Sequence, residues 1–147
     1  MFLNKLKQTI EMASKSLLQV QNQDGSWSGE VELNPGPTAQ FLMLAPALEI
    51  TIPEQIKSKA LNYIKRMQLS NGAWAPHYGA EGDVSVSIEC YLALRICGLR
   101  NDDDIVVKAR SFILENGGME QANSWTLLYS GIVGVAPWHK IFHLPVE

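Results

Sequence analysis

Gln21-Asn22-Gln23-Asp24-Gly25-Ser26-Trp27 and Gln68-Leu69-Ser70-Asn71-Gly72-Ala73-Trp74 share one pattern: Gln, three residues, Gly, one residue, Trp. The two copies begin 47 residues apart, at Gln21 and Gln68. A period of that length is the mark of stacked two-helix units. The flanking residues keep the phase. Lys59-Ala60-Leu61-Asn62-Tyr63-Ile64 precedes the second copy, and Lys108-Ala109-Arg110-Ser111-Phe112-Ile113 repeats that arrangement 49 residues on, ahead of Gly117-Gly118 and without a Trp. The first copy keeps Ala13 and Leu17 but has Met12 and Ser16 at the basic and aromatic positions. Two good copies and one eroded copy therefore predict an all-α repeat protein.

Helical periodicity recurs in six segments, parted by Gly, Pro, Asn and Asp. The first covers 5–22, with Leu6, Ile10, Ala13, Leu17 and Val20 on one face. The second covers 38–49; Pro37 suits its first turn, and Pro46 predicts a kink or an early end. The third starts after Pro53 and runs to Asn71-Gly72, and the fourth covers 84–97 and is apolar all round in its second half. The fifth opens on Asp102-Asp103-Asp104, acids suited to a helix N-terminus, and the sixth covers 123–135. Segments one, three and five have polar outer faces, whereas two, four and six are more apolar, which is what two concentric helical layers require.

The repeated phrase falls at a helix end, where the last carbonyls lack intrahelical partners. Asp24-Gly25 and Asn71-Gly72 supply left-handed terminators. A Gln amide can bond backbone at a neighbouring helix end while the indole covers it. Gln21, Gly25, Trp27, Gln68, Gly72 and Trp74 thus form structural clasps between outer helices, with no catalytic role.

The chain has 147 residues, 46% hydrophobic and 18% charged, enough for one globular domain with a core. Its net charge of −3 and lack of clustered Lys and Arg argue against nucleic acid as a partner. No apolar run is long enough to span a bilayer, and the start lacks a signal-peptide pattern, so a cytoplasmic chain is the default. Cys90 and Cys97 would share a helix face about 10 Å apart, too far for a disulfide, and read as buried thiols. His139 and His143 have ligand spacing, but Pro137 and Pro145 interrupt the helix that would present them, and no metal site is expected. Glu89, in an apolar helix, reads as a buried carboxyl with a structural partner.

With their flanking residues, the clasps resemble the QW repeats of the squalene-hopene and oxidosqualene cyclases. The likeness runs over about 17–145 and takes in Ser87-Ile88-Glu89-Cys90-Tyr91-Leu92-Ala93-Leu94, Glu115-Asn116-Gly117-Gly118-Met119-Glu120 and Gly134-Val135-Ala136-Pro137-Trp138. The resemblance implies an incomplete α/α toroid of about six helices in two layers, the N-terminal part of a terpene cyclase that protonates and cyclises squalene or a related polyprene. It implies no metal or organic cofactor, a polyprenyl lipid substrate, and peripheral membrane contact. The family's proton donor lies in a D-x-D-D motif, which this sequence lacks; Asp102-Asp103-Asp104 has the wrong spacing. Activity is accordingly expected only with a complementary cyclase chain, and uncovered helix faces favour such pairing or self-association. Phe41, Tyr91 and Trp125 are the aromatic candidates for lining the cavity. The competing reading is a non-catalytic barrel remnant or split subunit that binds an apolar lipid or a partner. A prenyltransferase β-subunit would need Asp, Cys and His zinc ligands that are not arranged here.

Overall fold

The structure is a computed structural model and describes residues 2–29 and 33–141. It contains six α-helices and no β-strand among the described residues: α1 (Phe2–Gln19), α2 (Gly36–Ala47), α3 (Glu54–Arg66), α4 (Val84–Ile96), α5 (Asp104–Glu115) and α6 (Ser124–Ile132). Short 3-10 turns follow α5 and α6, over Gly118–Gln121 and Trp138–Lys140. The fold is of the all-α, α/α toroid type. The chain divides into two compact units, the first ending at Glu32 and the second beginning at Leu33.

In the first unit, α1 carries its apolar residues in a helical stripe and has none of its residues buried. It ends at Gln19, short of the expected 22, because the Val20 amide turns back to the Leu17 carbonyl (3.2 Å).

In the second unit, α2, α4 and α6 pack mutually, α3 lies against α2, and α5 lies against α4. These are the inner and outer layers of the toroid wall. The apolar character of α2 and α4 follows from burial on more than one side: Ala39, Leu42 and Met43 from α2 meet Ile88, Cys90, Leu92, Ala93 and Leu94 from α4. The outer helices contribute single stripes, Ala60 and Ile64 from α3 and Val106, Ala109 and Ile113 from α5.

The ends are set by local chemistry. Pro46 lies in the last turn of α2, which stops at Ala47, with the Ile50 amide returning to the Ala45 carbonyl (2.8 Å) and Glu49 at φ 59°. Asp83 caps α4, its carboxylate accepting from the Val86 amide at 2.8 Å. At the start of α5 the three acids divide their tasks. Asp102 pairs with Arg100, Asp103 accepts from the Arg100 amide (2.7 Å), and Asp104 pairs with Lys108 one turn on (2.7 Å).

The third helix leaves α geometry at Arg66, well before Asn71-Gly72. The intervening residues form a closed turn instead, with the Gly72 amide bonded to the Leu69 carbonyl (2.9 Å) and the Leu69 amide to the Ala73 carbonyl (2.8 Å). Gly72 has φ +88°, and a Cβ there would stand 2.4 Å from the Lys108 carbonyl oxygen of α5. Gly98 has φ +98° with open space around it. Gly98→Ala should therefore cost only left-handed strain, about 1 kcal/mol, whereas Gly72→Ala adds a backbone collision and should cost about 3 kcal/mol or more. Urea unfolding midpoints of the two variants measure the difference; equal losses would contradict the close approach of the turn to α5.

Candidate functional site

The two copies of the Gln-Gly-Trp phrase share a set of hydrogen bonds. Gln21 Nε2 donates to the Gly25 carbonyl (2.7 Å), and Gln68 Nε2 to the Gly72 carbonyl (2.9 Å). Trp27 Nε1 donates to the Leu17 carbonyl (2.8 Å), and Trp74 Nε1 to the Ile64 carbonyl (2.7 Å), each ten residues back in its preceding helix. The Asx turns match as well: Asp24 accepts from the Ser26 amide (3.0 Å) and Asn71 from the Ala73 amide (3.1 Å). Each indole thereby adds a second donor to a carbonyl of the last helical turn, which otherwise accepts only the backbone amide three residues on (Val20 to Leu17 and Met67 to Ile64, both 3.2 Å).

Gln68 has a second acceptor, the Ile105 carbonyl in the first turn of α5, at 2.9 Å. One amide group thus ties the turn after α3 to the next outer helix. Trp74 is fully buried in the core cluster, and its own amide donates to Ser87 Oγ on α4 (3.0 Å).

A second constellation lies among the inner helices. Glu89, 4% exposed, accepts from Gln40 Nε2 of α2 on one carboxyl oxygen (2.9 Å) and from Thr126 Oγ1 of α6 on the other (2.6 Å). One side chain of α4 thereby reaches both inner neighbours. Gly36, at the start of α2, permits the approach, since a Cβ there would lie 3.2 Å from the carboxyl and 2.7 Å from Asn34 Oδ1. Beside this group is an open hollow of about 370 Å³, bordered by Gln40 and Glu89 and by Trp125 and Tyr129 of α6, whose rings stack at 6.4 Å and 29°.

The three aromatic candidates occupy different surroundings. Trp125, 57% exposed, borders this hollow. Phe41 borders another, between α2 and α3, with Ile56, Ala60 and Tyr63. Tyr91 is half-buried against the core of the second unit. Sequence reading singled out Glu89 but not its partners. Gln40 and Thr126 are polar positions on largely apolar helices, and that contrast was the available signal.

The remaining reactive groups are dispersed. Cys90 is buried, and burial pushes its thiol well above the ordinary 9.0, with neighbouring Glu89 adding to the rise. Cys97 is half-buried and free, its thiol also raised chiefly by burial. His139 is exposed on the 3-10 turn after α6, and His143 lies outside the described residues. Among the described residues no group of three or more His, Cys, Asp or Glu is placed to hold a metal ion.

Two outcomes follow from these contacts. Thr126→Val keeps the shape but removes a donor from a buried carboxyl, and should cost about 1–3 kcal/mol in thermal or urea unfolding; a neutral effect would deny the α4–α6 bond. Asp24, fully exposed, is held below the ordinary 3.8 by the Ser26 hydroxyl and then by the Ser26 amide. Its depressed value means that the turn's support is present above 3.8 and lost as pH falls through the folded-state value. An NMR titration should place Asp24 below 3.8 and show a smaller shift in Ser26→Ala, where the hydroxyl bond disappears and the amide bond remains.

Comparison with known proteins supplies the context for this geometry. A family model described as squalene-hopene cyclase N-terminal domain matches residues 10–147. The chain is 34% identical over 146 residues to a squalene-hopene cyclase of Schizosaccharomyces japonicus, covering 99% of this chain and 22% of that protein. It is 30% identical over 139 residues to the squalene-hopene cyclase of Alicyclobacillus acidocaldarius, with 95% and 22% coverage. Dammaradiene synthase of Dryopteris crassirhizoma is 34% identical over 140 residues, with 95% and 20% coverage. The chain thus spans about a fifth of the length of these relatives.

Proposed function

The chain belongs to the squalene-hopene cyclase family as an N-terminal domain, and from that premise we propose that it forms part of the wall of a terpene cyclase acting on squalene or a related polyprene. The family match over residues 10–147 carries this reading. The inner helices α2, α4 and α6 form the substrate-facing side of that wall. The hollow beside Glu89 supports the assignment, because the stacked rings of Trp125 and Tyr129 offer π-faces, the kind of surface that steadies a carbocation.

The reaction is a cyclisation opened by proton transfer to the polyprene. A carboxyl able to protonate an alkene must be held protonated in a dry pocket. Asp102, Asp103 and Asp104 do not meet that requirement: they are engaged at the start of α5 by Arg100 and Lys108, and Asp102 and Asp104 hold exposed ion pairs. The D-x-D-D pattern is absent from these 147 residues. In this reading the acid comes from a complementary cyclase segment, and the domain supplies shape and cation-stabilising surface. Val135 and Trp138, each more than half exposed after the end of α6, are apolar surface for such a segment to cover. A polyprene substrate dissolves in membranes, so the same reading puts the protein in the cytoplasm with peripheral contact to a bilayer.

A chimera tests this function. Residues 10–147 replace the matching segment of the Alicyclobacillus acidocaldarius relative, and products from squalene are analysed by gas chromatography. The chimera should form cyclised products and the isolated chain should form none. Efficient cyclisation by the isolated chain would overturn the dependence on an outside acid, and a folded chimera without products would overturn the role of this segment in the wall.

A further inference from the structure

Ser85 stands one helical turn before Glu89 on α4, and the two therefore share a face. Its hydroxyl oxygen, in a side chain only 7% exposed, accepts the Asn123 amide at 2.9 Å across 38 residues of sequence. Asn123 is the N-cap of α6, and its side-chain oxygen accepts the Thr126 amide, also at 2.9 Å. Thr126 then donates its hydroxyl to Glu89 at 2.6 Å. These four residues close a circuit: Ser85 to Asn123, Asn123 to Thr126, Thr126 to Glu89, and Glu89 back to Ser85 along the backbone of α4. Two rungs four residues apart on α4 meet two positions three residues apart on α6.

Such a circuit fixes more than the proximity of two helices. A single bond between Thr126 and Glu89 would leave α6 free to rotate about that point, whereas a second, backbone-directed bond at Ser85 sets its rotation and its axial register. Trp125 lies between the two attachment points, so its direction into the hollow is determined by both. Ser85 is the acceptor for the Asn123 amide, and without it the start of α6 would shift to find another partner.

We propose that Ser85 is a positioning residue that sets the register of α6 and thereby aims Trp125 into the hollow beside Glu89. It touches no reacting atom. As a contribution to cyclisation the role rests on the function proposed above, while the aiming of Trp125 does not depend on it.

Incorporating 5-fluorotryptophan gives four fluorine signals, from Trp27, Trp74, Trp125 and Trp138, and loss of one in Trp125→Phe assigns the relevant signal. In the 147-residue chain, Ser85→Ala should shift and broaden the Trp125 signal and leave that of Trp27 in place, while Ser85→Thr should restore the original position. An unmoved Trp125 signal in a folded Ser85→Ala chain, or displacement of all signals alike, would overturn the proposal. A stability cycle checks the same link independently of spectroscopy. Ser85→Ala and Thr126→Val act on one circuit, so their combined loss should fall below the sum of the separate losses, and strict additivity would count against the circuit. In the chimera, Ser85→Ala should lower turnover by up to about a hundredfold with Ser85→Thr restoring it, the scale on which a misplacement of about 1 Å is felt. A chimera inactive whatever residue stands at 85 would sink the cyclase reading alone, because the fluorine signals still decide where Trp125 points.

Discussion

The arrangement of the second unit depends on one side-chain amide. Gln68 donates at once to the Gly72 carbonyl of its own turn and to the Ile105 carbonyl at the start of α5. The first bond closes the loop after α3, and the second fastens that loop to the neighbouring outer helix. Both acceptors are backbone groups, so the contact specifies where chains run and is indifferent to which side chains they carry. Gly72 is the steric condition for it, because any side chain there would displace the Lys108 carbonyl. Trp74 completes the clasp by closing the Ile64 carbonyl and filling the core beneath it.

From that fastening the connection passes inward. The Trp74 amide donates to Ser87 on α4 while the Trp74 carbonyl accepts the Asp83 amide (2.9 Å), so the outer clasp and the capped start of α4 form one hydrogen-bonded piece. Once the start of α4 is fixed, Glu89 is carried to a point from which it meets both α2 and α6. Burial of a carboxyl is costly unless it is bonded, and the two donors offset that cost while selecting one packing of three helices. The apolar contacts alone would tolerate several rotations of α6; the polar ones do not.

Much of this was legible in advance. The spacing of Gln, Gly and Trp, with the alternation of amphipathic and apolar segments, is enough to give an all-α repeat in two layers and to point to the cyclase family. Asp102, Asp103 and Asp104 read correctly as the acids of a helix start, since three adjacent carboxylates ahead of an apolar stripe have few other uses. Helix ends were less legible. The third segment ends at Arg66 and not at Asn71-Gly72, because the Leu69–Ala73 turn offers its amides better partners than another helical turn would. The sixth ends at Ile132 because the Val135 and Ala136 amides both return to the Ser130 carbonyl.

The sequence by itself determined the helical repeat, the layer to which each helix of the second unit belongs, and the family, since each rests on local periodicity or on a short pattern of residue types. It also marked Glu89 as a carboxyl needing company. Only the tertiary structure decided who supplies that company: Gln40 lies 49 residues before it and Thr126 37 residues after it. Only the structure separated Phe41 from Trp125, placing them on different hollows. The physical reason is one of range. Periodicity and capping act within a few residues along the chain, whereas a hydrogen bond between helices depends on their relative rotation, which is settled when they pack.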